Sequence, residues 1–224
     1  MSSEQTRAIV LRRTNYGEAD RILKLLTPLG QRSVIAKGVR REKSKLASGI
    51  ELFAVSDVGI NTGKSELGIL TSARLVQFYR HILEDYDKLQ FGYEAINAIS
   101  RVSDSVDDDG WFTTLEQVYM GLDRKEIPLQ LVQTWFYVHY AEQNGYGLSL
   151  ERDVLGNKLT ADKQYMYDVA EKGLRLSEQG DLTADHIKYL RIIAAKSLAT
   201  VAQIGGIEAI LADCWLVARQ HAAI

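Results

Sequence analysis

Cysteine occurs once and proline twice in 224 residues. A lone cysteine, Cys214, excludes internal disulfides and any zinc site built from several thiolates. Ile207, Ile210, Leu211 and Val217 share its helical face, which is the setting of a small core residue and not of a reactive thiol. No Pro-rich linker can be drawn, and no run reaches the roughly 18 uninterrupted apolar residues of a membrane span. Met1-Ser2-Ser3-Glu4-Gln5 has neither a basic start nor an apolar core, so no secretory signal is expected and the expected compartment is the cytoplasm. The four histidines, His81, His139, His186 and His221, are scattered. None has a partner at metal spacing or a hydroxyl suggestive of a nucleophile, so no metal, cofactor or catalytic residue is expected.

What is present is ordinary in bulk and uneven in distribution. With 46% apolar and 25% charged residues the chain is globular, and its length allows one or two domains. The net charge of −2 conceals a split. Residues 1–80 hold 14 Lys/Arg against 7 Asp/Glu, a balance of +7, whereas residues 81–224 hold 13 against 22, a balance of −9. Such asymmetry points to a basic part that meets a polyanion.

The first 80 residues predict five short strands, Arg7 to Arg13, Arg21 to Thr27, Gln31 to Gly38, Leu52 to Ile60 and Leu67 to Phe78. Turn-forming segments such as Asn15-Tyr16-Gly17 and Pro28-Leu29-Gly30 separate them. Five strands without an intervening helix suggest a closed barrel of the OB type, which binds oligonucleotides on its strand 2 and 3 face and nearby loops. From His81 the period becomes about 3.6. Ile82, Tyr86, Leu89, Tyr93 and Ile96 would line one helix, and Leu131, Trp135, Val138 and His139 another. Further helices are expected over about 162–176, 183–199 and from 206 onward. The expected fold is therefore α+β, an OB barrel over 1–80 and an all-helical domain over 81–224.

Ala36 to Lys45 packs five cations around a glycine directly after the third strand. That run suits phosphate neutralisation, and its place beside the OB ligand surface favours nucleic acid over a merely solvated loop. Lys37, Arg40, Arg41, Lys43 and Lys45 are its cations, extended by Arg12, Arg13, Arg32 and Lys64. Tyr16 could stack on bases, and Phe53 could do so or belong to the core. Two motifs are rejected. Gly59 to Ser65 resembles a phosphate-binding loop, but three residues instead of four separate its glycines. Ser105 to Gly110, with Glu116 in the twelfth position, nearly spells a calcium loop, but serine replaces the first carboxylate.

The run AIVLRRTNYGEADRILKLLTPLGQRSVIAKGVRREKSKL, Ala8 to Leu46, resembles the N-terminal signature of the RecO family. That family carries a YGE-x-D element, matched by Tyr16, Gly17, Glu18 and Asp20, and an AKG-hydrophobic-R-R-x-KSK loop, matched from Ala36 to Lys45. Beyond residue 80 only Gly145-Tyr146-Gly147-Leu148 and His186 to Arg191 resemble family elements. The resemblance implies single- and double-stranded DNA binding, annealing of complementary strands and help in loading a recombinase onto DNA coated by single-strand-binding protein. It also implies a helical domain that docks partners, the tail of that coating protein and a RecR-type mediator. Arg124, Lys125, Lys188, Leu190 and Arg191 are the candidate tail-docking residues. Many members hold a four-cysteine zinc module. Here the equivalent stretch, Leu148 to Tyr167, carries Leu150, Val154, Leu155, Leu159 and Tyr165, and a small apolar cluster is expected in its place. The alternative from the residues alone is an RNA-binding OB module of translation or ribosome assembly, since both nucleic acids are polyanions.

Overall fold

A computed structural model describes residues 2–63, 67–103 and 110–223. Five strands, β1 (Ser2–Tyr16), β2 (Asp20–Thr27), β3 (Gly30–Ala36), β4 (Ala54–Thr62) and β5 (Gly68–Phe78), close into a barrel in the order β1-β2-β3-β5-β4. Every pairing is antiparallel except β3 with β5. This is the five-stranded barrel of the OB-fold. β1 outruns its apolar segment because it serves two neighbours, pairing with β4 through Ile9 and with β2 from Ile9 to Tyr16. A register shift between Val10 and Arg12 marks the irregularity that lets it bend across both.

Alternation supplies two apolar faces. Ala8, Val10, Leu23, Leu25, Val34, Ala36, Val58, Ile60 and Leu70 form the barrel core, joined by Val39 and Ile50 from the β3–β4 connection. Ile9, Leu11, Leu26 and Val55 on the other face are buried as well, where α1 (Tyr86–Val102) and α2 (Gly110–Asp123) contact β1 and β2. Phe53 belongs to this second layer. It is 1% exposed, with Tyr93 and Tyr119 edge-on at 5.2 and 5.5 Å, so it cannot stack on bases. Its ring explains the rotation of α1. A Cβ at Gly92 would stand 2.7 Å from the ring, so the glycine side faces the barrel. The buried stripe runs through Lys88, Phe91, Gly92, Ala95, Ile96 and Ile99, and Tyr86 and Tyr93, expected inward, are exposed.

By internal contacts the chain divides into Met1–Asp123 and Arg124–Ile224. The change from strand to helix near residue 80 thus falls inside the first unit. The second unit holds α3 (Leu129–Gln143), β6 (Tyr165–Asp168), β7 (Gly173–Leu176), α4 (Ala184–Ala195), α5 (Leu198–Val201) and α6 (Leu211–Ala222). The helix expected over 162–176 is instead the β6–β7 hairpin. The Asp168 carboxylate accepts the Ala170 and Glu171 N–H groups, each at 3.0 Å, and Arg175 Nε at 2.6 Å, which closes a turn where a helix would have continued. The helical pattern of 183–199 breaks at Lys196, and Ser197 caps α5 by accepting Thr200 N–H.

The excursion between α3 and β6 is held differently from the expected apolar cluster. Leu159 and Tyr165 are buried, but Leu155 is 73% exposed. Polar bonds carry the rest. The Asp153 carboxylate accepts Leu155 N–H, Asn157 N–H and Asn157 Nδ2 at 2.9, 2.8 and 3.2 Å. Val154 N–H donates to Leu174 O at 2.8 Å, and Arg191 donates to Leu150 O from two nitrogens.

Candidate nucleic-acid interface

Two glycines shape the basic end of the barrel. Gly17, at φ +55°, reverses the chain after Tyr16, and Gly38, at φ +64°, turns it out of β3, both in the left-handed region that favours glycine. The two turns then meet. The Asp20 carboxylate accepts Gly38 N–H at 2.7 Å, Arg40 N–H donates to Ala19 O at 2.9 Å, and Arg40 Nη1 donates to Gly17 O at 3.2 Å. Two sequence elements about 20 residues apart therefore make one surface. Within the loop, Arg41 N–H donates to Gly38 O and Ser44 N–H to Arg41 O, at 3.1 and 3.0 Å, so the cations stand on a folded turn. Lys37, Arg40, Arg41, Lys43 and Lys45 are exposed, as is Arg12 on β1, and Tyr16 is 55% exposed beside them.

The remaining candidate cations are placed differently. Arg13 is half-buried and donates from Nη1 to Ile50 O at 3.4 Å and to Glu51 at 2.9 Å. Arg32 lies 3.8 Å from the Glu4 carboxylate and donates to Gln31 O at 2.9 Å. Lys64 lies outside the described residues, as do residues 105–109 of the calcium-like run. Glu116, its twelfth position, accepts Arg7 at 2.5 Å. Gly59 to Thr62 of the phosphate-loop lookalike are part of β4. The outer β2–β3 face is partly occupied, since Lys24 Nζ and Gln31 Nε2 donate to Ser100 O of α1 at 3.0 and 3.3 Å, and Gln31 also bonds Ser103 Oγ. The accessible surface is thus the end of the barrel that bears the basic loop.

Of the partner candidates, Lys188 and Arg191 border a small depression of about 60 Å³ whose apolar lining is Leu159, Ala161, Ala184 and Ile187. Leu190 is 0% exposed. It faces the core because α4 presents Ile187 and not Leu190 beside that pair, and as a docking residue it is withdrawn. Arg124 and Lys125 stand exposed in the turn before α3 and are not among the lining residues. Arg152 and Lys158, which sequence reasoning passed over, share a cleft with Arg191 and Glu151. Their signal was only two isolated cations. Asp20 was also passed over as a site residue, although its motif was noticed.

Cys214 and His221 are buried titratable groups of the second unit. Burial pushes the Cys214 thiol up to about 12, with the neighbouring Asp213 adding to it. His221 accepts the Tyr167 hydroxyl on Nδ1 at 3.0 Å and donates from Nε2 to Tyr146 O at 2.6 Å. Among the described residues no group of His, Cys, Asp and Glu is arranged to hold a metal, and no helix is long and apolar enough to cross a membrane.

Residues 1–79 match the family described as Recombination protein O N terminal. DNA repair protein RecO of Rubrobacter xylanophilus is 31% identical over 152 residues, 67% of this chain and 61% of that protein. The protein of the same name from Dehalococcoides mccartyi strain 195 is 29% identical over 226 residues, 97% of this chain and 88% of the relative. That of a Roseiflexus species is 35% identical over 98 residues, 44% of this chain and 34% of the relative.

Proposed function

We propose, from the premise that this chain belongs to the RecO family of DNA repair proteins, that it acts in recombinational repair by holding single- and double-stranded DNA on the basic end of its barrel. The observation that carries this reading is the cationic ledge of Lys37, Arg40, Arg41, Lys43 and Lys45, folded against the Tyr16–Gly17 turn by three hydrogen bonds. Its cations would neutralise phosphates and release their counterions. Tyr16 offers a ring on which a splayed base can stack. Screening two phosphate backbones at once removes the main electrostatic obstacle to bringing complementary strands together, which is annealing. No catalytic group is required for that step, and we propose none.

In this proposal residues 1–80 handle DNA and residues 81–224 dock partners, at the nucleoid in the cytoplasm. The depression between Lys188 and Arg191 suits an acidic segment that ends in an apolar residue, the chemistry expected of the tail of single-strand-binding protein. Docking there would bring the ledge to coated DNA and help a recombinase load. A RecR-type mediator is proposed to engage the chain near its barrel. The test is titration of a labelled oligothymidine at several salt concentrations, followed by annealing of two labelled complementary strands. Saturable binding that weakens with salt, with faster annealing, is expected. No binding at about 50 mM salt overturns the proposal, because a ledge of this charge must bind at least non-specifically there.

A further inference from the structure

Asp20 is an acid set among cations. It opens β2, and its carboxylate accepts Gly38 N–H at 2.7 Å between Lys37 on one side and Arg40 and Arg41 on the other. A carboxylate beside a phosphate site would weaken binding by repulsion if it did nothing else. Its geometry gives it another task. Gly38 is where the chain leaves β3 with a positive φ, and its N–H is received by the Asp20 oxygen at the start of β2. The Arg40 bonds to Ala19 O and Gly17 O follow on the same side. A ligand-binding loop that is ordered before it binds avoids the entropy cost of ordering on contact.

We infer that Asp20 is a positioning residue for DNA, holding the basic loop in register with the Tyr16 turn so that its cations face one strand together. The inference rests on the DNA-binding reading of that loop. Its consequence has the opposite sign from charge alone. Removing a negative charge from a phosphate site should tighten binding, whereas losing the acceptor should loosen it.

The test uses the full chain and labelled oligothymidine at about 150 mM salt. Asp20→Ala should weaken binding by about tenfold or more, the lower end of what one hydrogen bond to a charged group is worth. Asp20→Asn keeps an acceptor oxygen and loses the charge, and should bind as tightly as the parent or more tightly. Trypsin should cut after Arg40, Arg41 and Lys43 faster in the alanine variant and at the parental rate in the asparagine variant. Binding by Asp20→Ala that is equal or tighter overturns the inference, and so does an asparagine variant as weak as the alanine one. If the alanine variant does not fold, hydrogen exchange at Gly38 in the unaltered protein decides, because an unprotected amide there is incompatible with the role. Failure of the underlying DNA reading looks different. In that case Arg41→Ala with Lys43→Ala leaves DNA affinity unchanged.

Discussion

Replacing Arg41, Lys43 and Lys45 together by alanine separates phosphate-binding cations from those that brace the fold. All three side chains are exposed, unlike Arg13, which is spent on Ile50 O and Glu51. Each phosphate neutralised on a single strand contributes about 0.7 to the slope of log affinity against log salt. Three contacts therefore contribute about 2.1, and raising salt from about 50 to about 200 mM should cost the parent protein about 20-fold more affinity than the variant. Because the side chains are solvated, the melting temperature should stay within a degree or two. Fluorescence anisotropy of labelled oligothymidine at five or six salt concentrations measures the slope directly. Arg13→Ala is the control, with an unchanged slope. A slope reduced by less than about 0.7 in the triple variant, less than one phosphate, would refute the assignment of the ledge.

Burial pushes His221 below its ordinary value of 6.5, helped by Lys172 and opposed by the Tyr146 carbonyl, and burial likewise lowers His139 against the Ile193 carbonyl. The unfolded chain then binds more protons than the folded one just below 6.5, so stability is full above that value and is lost as pH falls through it. The urea midpoint should drop between pH 7.5 and pH 5.5, and a flat profile would contradict the burial of both rings. Cys214, pushed up to about 12, should resist alkylation at pH 8 in the native protein and react once urea is added, and rapid native labelling would refute its placement. Chelators should leave the melting temperature unmoved, because one cysteine and four dispersed histidines cannot build a tetrahedral site. Leu190→Ala, at a wholly buried position, should cost about 2 to 5 kcal/mol of stability. Lys188→Ala with Arg191→Ala should instead weaken an acidic tail peptide, with a loss of stability limited to the Arg191 bonds to Leu150 O, and peptide affinity unaltered by that pair removes the depression from the proposal.

The barrel was legible because period-two alternation and glycine-bearing turns are local signals, and all five strands fall where those signals put them. Other features needed information that one strand or one helix does not contain. The rotation of α1 depends on the Phe53 ring requiring Gly92, 39 residues away. The β6–β7 hairpin was hidden because four-residue strands are too short to show a period, and the signal that does exist is Asp168 with its turn bonds. Leu190 looked like a surface neighbour of Lys188 and Arg191 because spacing on a helix says which residues share a face and not which face is covered. The cations of the basic loop were legible by type and density. Arg13 was not, since nothing in its own neighbourhood announces Glu51, 38 positions on.

The charge split also needs a finer division than halves. Residues 81–123 hold 2 Lys/Arg against 10 Asp/Glu, a balance of −8, and residues 124–224 hold 11 against 12. Most of the acidity thus belongs to the stretch containing α1 and α2, within the same compact unit as the basic barrel. Such proximity would cancel the ledge if the opposing charges shared one place. The bonds argue otherwise. Ser103, at the end of α1, meets Gln31 near the start of β3, whereas the basic loop leaves after Ala36, at the strand's other end. Five residues of strand separate these points by about 17 Å. That is about two Debye lengths at physiological salt, where the screening length is about 8 Å, but well under one at about 0.01 M, where it is about 30 Å. Acidic charge at that distance should be electrostatically silent at the ledge in ordinary buffer and repel DNA from it in very dilute buffer. The plot of log affinity against log salt should run straight between about 50 and 200 mM and bend toward the horizontal below about 10 mM. A line that stays straight to the lowest salt would mean that the acidic stretch never acts on DNA at the ledge.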